Sequence, residues 1–222
     1  MKNIILTFTA LLLLETNFAP VYSQQEEKHD FRQYLFPAFS VSVVKSSNSK
    51  PSKLLLNYNT ITENMVFLQN SQYFDLVTSV PVDTIYMNDK KFIPLEDFYV
   101  ELVYEGAITF AIQHRSNLKE PGVPAGYGTT SQTSAAGYVS NVKMKSGIYN
   151  INIPKEYEIE YSPVYWIYKN GKWNKYFSES QLIKLFPEKS KEIRQFIKEN
   201  RIKFDKPADL AKLAAYCNEL YR

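Results

Sequence analysis

The sequence predicts an α+β protein, a curved antiparallel β-sheet of many short strands followed by a small C-terminal helical cluster. Three observations lead there. From residue 31 to about 115, short stretches rich in Val, Ile, Tyr and Phe recur at roughly eight- to twelve-residue spacing between turn residues, the pattern of an antiparallel sheet. Asn170 and Gly171 stand between two aromatic runs, and this pair tolerates the positive φ angles of a tight hairpin turn. From Ser178 onward the apolar residues fall at helical spacing instead.

With 222 residues, 45% of them apolar and 15% aromatic, the chain can form one large cored domain, or one domain with a small appendage. Residues 1–23 read as a signal peptide: Lys2 supplies the charged n-region, residues 4–14 the apolar h-region, and Val21 and Ser23 the cleavage site. That h-region is too short for a bilayer, and no later run approaches about 18 uncharged apolar residues, so a membrane-spanning chain is not expected. Cleavage after Ser23 leaves a polar, flexible mature terminus over 24–30 and places the protein in the periplasm or at the cell surface. Cys217 is the only cysteine, which excludes an intramolecular disulfide and a cysteine-based metal framework. The net charge of +3 arises from interspersed charges, which is not a nucleic-acid footprint.

The β-rich domain is expected over 31–177. Its candidate strands are 34–39, 41–45, 53–58, 64–69, 73–77, 84–87, 91–95, 98–103 and 107–114, then 147–153, 157–161 and the two arms of the Asn170-Gly171 hairpin. A three-residue loop of Tyr104, Glu105 and Gly106 would set Leu102 opposite Ile108, Val100 opposite Phe110 and Phe98 opposite Ile112. Tyr99, Glu101, Thr109 and Gln113 would then face water. In the later hairpin, the two-residue turn sets Tyr168 opposite Trp173 and Tyr165 opposite Tyr176.

Between these parts, residues 120–138 hold four of the seven glycines and no charge after Glu120. Gly126 and Gly128 lack the following Lys-Ser/Thr pair, the helix and the parallel strands of a phosphate loop. The composition predicts a flexible connection, least ordered over 123–136. The segment 178–222 predicts three short helices packed on the sheet. Ser178 and Gln181 make a capping-box pattern, Pro187 and Glu188 open the second helix, and Asp205 caps the third. On that third helix Leu210, Leu213, Ala214, Cys217, Leu220 and Tyr221 share one stripe.

Few residues offer chemistry. Cys217 on an apolar stripe is a packing residue, because burial opposes thiolate formation. His29 and His114 are the only histidines, too few for a zinc or iron set without carboxylates that the sequence does not place beside them. Asp83, Asn88, Asp89 and Asp97 lack calcium-loop spacing and fit turn chemistry. No Gly-x-Ser-x-Gly elbow or His-Glu-x-x-His motif occurs. No catalytic, metal or cofactor site is therefore assigned. The candidate binding surface is Tyr165, Trp166, Tyr168, Trp173 and Tyr176, rings that can instead form the core beneath the helices.

Several ordered segments resemble exported Bacteroidetes proteins that have no established activity. They are Leu54-Leu-Leu-Asn-Tyr-Asn with Met65-Val-Phe, Val82-Asp-Thr-Ile leading to Lys91-Phe-Ile, the 98–112 hairpin, the Tyr-Gly-Thr-Thr-Ser loop, Tyr168-Lys-Asn-Gly-Lys, and the tail from Leu182 to Leu220. The resemblance implies a periplasmic or envelope location and supplies no catalytic residue. The function expected is that of an exported, non-enzymatic binding or interaction protein, its partner an envelope protein, a glycan or an apolar ligand. One alternative is a carrier whose curled sheet encloses a cavity lined by Phe67, Tyr73, Tyr86 and Phe98; another is a small hydrolase with two converging carboxylates.

Overall fold

The computed structural model describes residues 31–47, 49–76, 81–119, 123–125, 129–131 and 153–221. The predicted signal peptide and mature terminus lie outside the described residues, as do most of 120–138 and all of the candidate strand 147–153 except Ile153. The strands are β1 (Ser40–Ser46), β2 (Ser52–Asn59), β3 (Asn64–Gln69), β4 (Gln72–Asp75), β5 (Val82–Met87), β6 (Lys90–Leu95), β7 (Phe98–Tyr104) and β8 (Thr109–Gln113). They continue with β9 (Ser116–Lys119), β10 (Val123–Ala125), β11 (Thr129–Ser131), β12 (Glu158–Tyr161), β13 (Val164–Lys169) and β14 (Lys172–Tyr176). Three helices follow, α1 (Glu179–Lys184), α2 (Ser190–Glu199) and α3 (Pro207–Leu220), with a 3-10 turn at Pro187–Lys189 before α2.

Ten strands form one sheet in the order β14-β13-β8-β7-β6-β5-β1-β2-β3-β4, every neighbour antiparallel. Two further pairs, β10 with β11 and β12 with β9, stand apart from it. This is the α+β architecture expected, with the helical cluster at the C-terminal end.

Because opposite residues in a ladder share a face, the register defines two sides. One row runs Val44, Ile85, Phe92, Glu101, Ile112, Tyr165, Tyr176 across seven strands, and every member is buried. The next row runs Val43, Tyr86, Lys91, Leu102, Ala111, Trp166, Lys175 on the outer side. At the β13–β14 end the inner side is covered by the helices, through Leu182, Phe186, Ile193, Ile197, Leu213 and Cys217 packed on Phe110, Ile112 and Tyr165. Each such fully buried apolar side chain stabilises by about 1.5–3 kcal/mol. At the β1–β6 end the sheet curls over itself: the Tyr58 hydroxyl donates to the Tyr99 carbonyl (3.2 Å), and Tyr58 stacks on Phe92.

The register of the β7–β8 hairpin differs from expectation. Leu102 stands opposite Ala111 and Glu101 opposite Ile112, with a bulge before Tyr104 pairs with Phe110. The cause lies far away in sequence. Ile108 does not join the ladder, because the Asn218 side chain of α3 accepts from its N–H (2.9 Å) and donates to its carbonyl (2.7 Å). Gly106 permits this approach, since a Cβ there would sit 2.6 Å from Asn218 Oδ1. The bulge brings both Val103 and Tyr104 against the helical core, while Phe98, Val100 and Leu102 pack on the outer side with Trp166. Glu101 is therefore on the inner face, not the wet one.

Elsewhere the differences are smaller. Residues 34–39 make only a single bridge, Tyr34 to Asn59. The short strand β9 was not anticipated, and β10 and β11 pair within the segment expected to be a loop. Asp205 does not cap α3: the helix starts one residue after Lys206, and Asp209 instead accepts from the Lys203 N–H (2.9 Å). Ser178 does cap α1, accepting from the Gln181 N–H, while the Gln181 side chain accepts from the Phe177 N–H (2.7 Å).

Candidate functional site

Among the buried polar groups and surface hollows of the described residues, two groupings bear on function. The first sits at the centre of the inner face. Glu101 on β7 accepts from Lys90 Nζ (2.6 Å) at the start of β6 and pairs with His114 Nε2 (2.7 Å) just after β8. His114 Nδ1 lies 2.6 Å from the Tyr161 hydroxyl at the end of β12, and their rings stack. Burial by itself raises the Glu101 carboxyl; the hydrogen bonds and charges of His114 and Lys90 outweigh it and hold the group below its usual range. An ionised carboxylate only accepts, so the bond at Nε2 is donated by the imidazole, and Nδ1 shares the second bond with the Tyr161 hydroxyl.

Every polar atom of that chain of bonds is thus occupied within the protein. Tyr161 is 51% exposed, but its phenol is still raised above its usual value, first by partial burial and then by the charges of Tyr165 and Glu101, which disfavours a phenolate. The arrangement is a clasp: it fastens the β9–β12 pair to β6, β7 and β8. A neighbouring link serves the outer side, where Gln113 donates to the Glu63 carboxylate and accepts from Trp166 Nε1 (2.9 Å).

The second grouping is at the tip of the β13–β14 hairpin. Asn170 (φ 54°) and Gly171 (φ 76°) form the tight turn, and the aromatic pairs fall as predicted, Tyr168 opposite Trp173 and Tyr165 opposite Tyr176. Lys169, on the inner side of the ribbon, donates to the Leu185 carbonyl (2.8 Å) and the Tyr221 hydroxyl (3.3 Å). Its ammonium also lies 4.4 Å from the centre of the Phe186 ring and 4.5 Å from that of Tyr221. Beside it opens a cavity of about 260 Å³ lined by Lys169, Asn170, Lys172, Asn174 and Leu185.

The predicted binding residues divide between core and surface. Tyr165 and Tyr176 are buried beneath the helices against Phe204, and Trp166 is buried on the outer side against Phe98. Tyr168 is 37% exposed and Trp173 half-buried, with ring centres 5.3 Å apart. The four predicted cavity residues do not converge. Phe67 stacks on Phe74, Tyr73 meets Phe39, Tyr86 lies exposed on the outer face beneath Lys45, and Phe98 packs on Trp166.

Cys217 is fully buried in the helical core, where burial pushes its thiol up to about 12 against the opposing charge of Lys169. Asp83 accepts from the Ser47 hydroxyl (2.8 Å), and Asn88 and Asp89 take positive φ in the β5–β6 turn. Among the described residues no three His, Cys, Asp or Glu side chains gather as a metal site, and no helix is long and apolar enough to cross a membrane. His114 was visible in sequence as a strand-end residue, but its partners Glu101 and Tyr161 carried no signal beyond their residue types.

No family model matches the chain, and neither curated proteins nor solved structures give a match.

Proposed function

We propose that this chain is an exported, non-enzymatic binding module of the bacterial periplasm or cell envelope, and that it holds a glycan at the tip of the β13–β14 hairpin. The observation that carries the reading is the Tyr168–Trp173 pair, partly exposed on one side of a tight turn whose other side is pinned by Lys169. Aromatic rings offer large contact area at low entropic cost, and Asn and Lys side chains beside them supply hydrogen bonds to hydroxyl groups. The resemblance to exported Bacteroidetes proteins supports the location. Calorimetric titration of the purified protein with oligosaccharides tests the reading. Saturable binding that falls at least tenfold in Trp173→Ala supports it. Absence of binding across neutral and acidic oligosaccharides, or turnover of a glycan, peptide or ester substrate, overturns it.

A second reading rests on the outer face of β1, β2 and β5. Val41 is 67% exposed, Leu55 opposite it 40%, and Tyr86 on the same side 39%. An envelope protein docking there would be lost on Val41→Ser with Leu55→Ser, and saccharide binding would be unchanged. Retention of the partner by that double variant counts against it.

A further inference from the structure

We infer that the cavity at the hairpin tip receives a single oxyanion, the carboxylate or sulfate of an acidic sugar residue. The inference deepens the glycan reading and rests on it for the identity of the carrier molecule. Lys169 and Lys172 stand opposite one another in the last rung of the ladder, and both line the cavity. Among the described residues no carboxylate lies within ion-pair distance of either. From Val164 to Lys184 the chain has lysines at 169, 172, 175 and 184 against one acid, Glu179. Among the described residues the charge at the tip is therefore net positive.

The hydrogen-bond inventory agrees. An ammonium has three donors, and Lys169 uses two, on the Leu185 carbonyl and the Tyr221 hydroxyl. The Asn174 amide gives one N–H to the Lys172 carbonyl (3.1 Å), and Asn170 lines the wall beside it. A bare lysine at the end of α1 has a bland explanation, because a cation there satisfies late helix carbonyls. That accounts for Lys169 and its bond to Leu185, but not for Lys172 across the cavity or for the amides between them. Two ammonium groups without an arginine fork meet one anionic group as point charges, not through a bidentate fork. The aromatic pair lies on the opposite side of the ribbon and outside the cavity lining, so it would meet a neighbouring unit of the glycan and not the residue that carries the anion.

Two measurements separate this inference from the reading beneath it. In the first, amide and side-chain signals of Asn170, Lys172 and Asn174 are followed by NMR as glucuronate, inorganic sulfate or glucose is added at fixed ionic strength. Saturable shifts with the two anions and none with glucose are expected, and they should disappear in Lys172→Glu. In the second, calorimetry compares tetragalacturonate with neutral galactotetraose. The acidic chain should bind at least tenfold more tightly, an advantage that shrinks in Lys172→Glu and at high salt. The thermal midpoint of Lys172→Glu should match the parent, which keeps loss of binding distinct from loss of fold. Absence of anion-dependent shifts at the tip overturns the inference. So does equal affinity for the two tetrasaccharides with no effect of Lys172→Glu, which would leave the glycan reading standing. Anion shifts without oligosaccharide affinity would support the oxyanion site and overturn the glycan reading.

Discussion

Lys90 and Lys169 are both partly buried lysines on the same sheet, and they have their charge met in opposite ways. Lys90 ends on a buried carboxylate, 2.6 Å from Glu101, which is itself tied to His114. Lys169 ends on a carbonyl, a hydroxyl and two ring faces, with no acid within ion-pair distance among the described residues. The first arrangement is closed, since each partner uses the other's capacity. The second is anchored but open, because carbonyl and π contacts locate a cation without neutralising it. A closed ion pair fastens structure; an open cation is available to something outside the protein.

The comparison breaks first at Glu101. Glu101→Ala leaves the buried His114 Nε2 and Lys90 without their acceptor, and loss of one member of a buried pair costs about 3–5 kcal/mol. Urea denaturation should show the midpoint lowered accordingly. Lys169→Met should cost less, about 1–2 kcal/mol, because the thioether keeps the apolar contacts with Phe186 and Tyr221 while the hydrogen bonds and the cation–π contacts are lost. If both variants cost the same, the two lysines do not differ in the way described.

Titration sharpens the contrast. Glu101 is held below its usual value of 4.5 in the folded protein, so the stability it contributes is fully present above that value and is lost as pH falls through the lowered one. Denaturation between pH 6 and pH 3 should therefore show a steeper acid loss in the parent than in Glu101→Gln, and parallel curves would contradict the pairing. Cys217 reports on the other lysine. Its thiol is pushed up to about 12, whereas an unfolded thiol ionises near about 8.5, so the folded state is increasingly disfavoured as pH rises past the unfolded value. Native Cys217 should react slowly with a thiol reagent at pH 8 and rapidly in urea, and fast native reaction would mean the helical core opens. The smallest effect is expected at Trp173→Ala, about 0.2–1 kcal/mol for one cross-strand aromatic pair, seen as a slight shift in the thermal midpoint.

How much of this is legible in the sequence depends on how local its cause is. The Asn170-Gly171 hairpin and its aromatic pairs need only the turn residues and the alternation beside them, and both are as read. The Ser178 cap and the Cys217 stripe likewise depend on neighbours within a turn or two of helix. The β7–β8 register does not. Along 98–104 both faces are apolar, since Phe98, Val100 and Leu102 have Trp166 for cover while Val103 and Tyr104 have the helices. Alternation then gives no preference between faces, and Glu101 goes where Lys90 and His114 can reach it. Those partners lie 11 and 13 residues away in the chain, with nothing in their spacing to pair them. At the hairpin tip the aromatic set was visible as a group. Its division into buried Tyr165, Trp166 and Tyr176 and more accessible Tyr168 and Trp173 was not, because that depends on where the helices come to rest.

The contact between Asn218 and Ile108 has a consequence for the order in which this molecule can assemble. A hairpin is ordinarily a local object that finds its pairing within microseconds. Here the pairing of β7 with β8 is decided by an amide 110 residues downstream, which takes the place of a ladder partner for Ile108. Until α3 arrives, a tighter loop with Val100 opposite Phe110 offers a competing arrangement that also buries apolar residues. The last helix thus acts as an arbiter between pairings. Such dependence on a segment 110 residues away adds a contact of long sequence separation at the centre of the sheet, the kind of contact that slows folding.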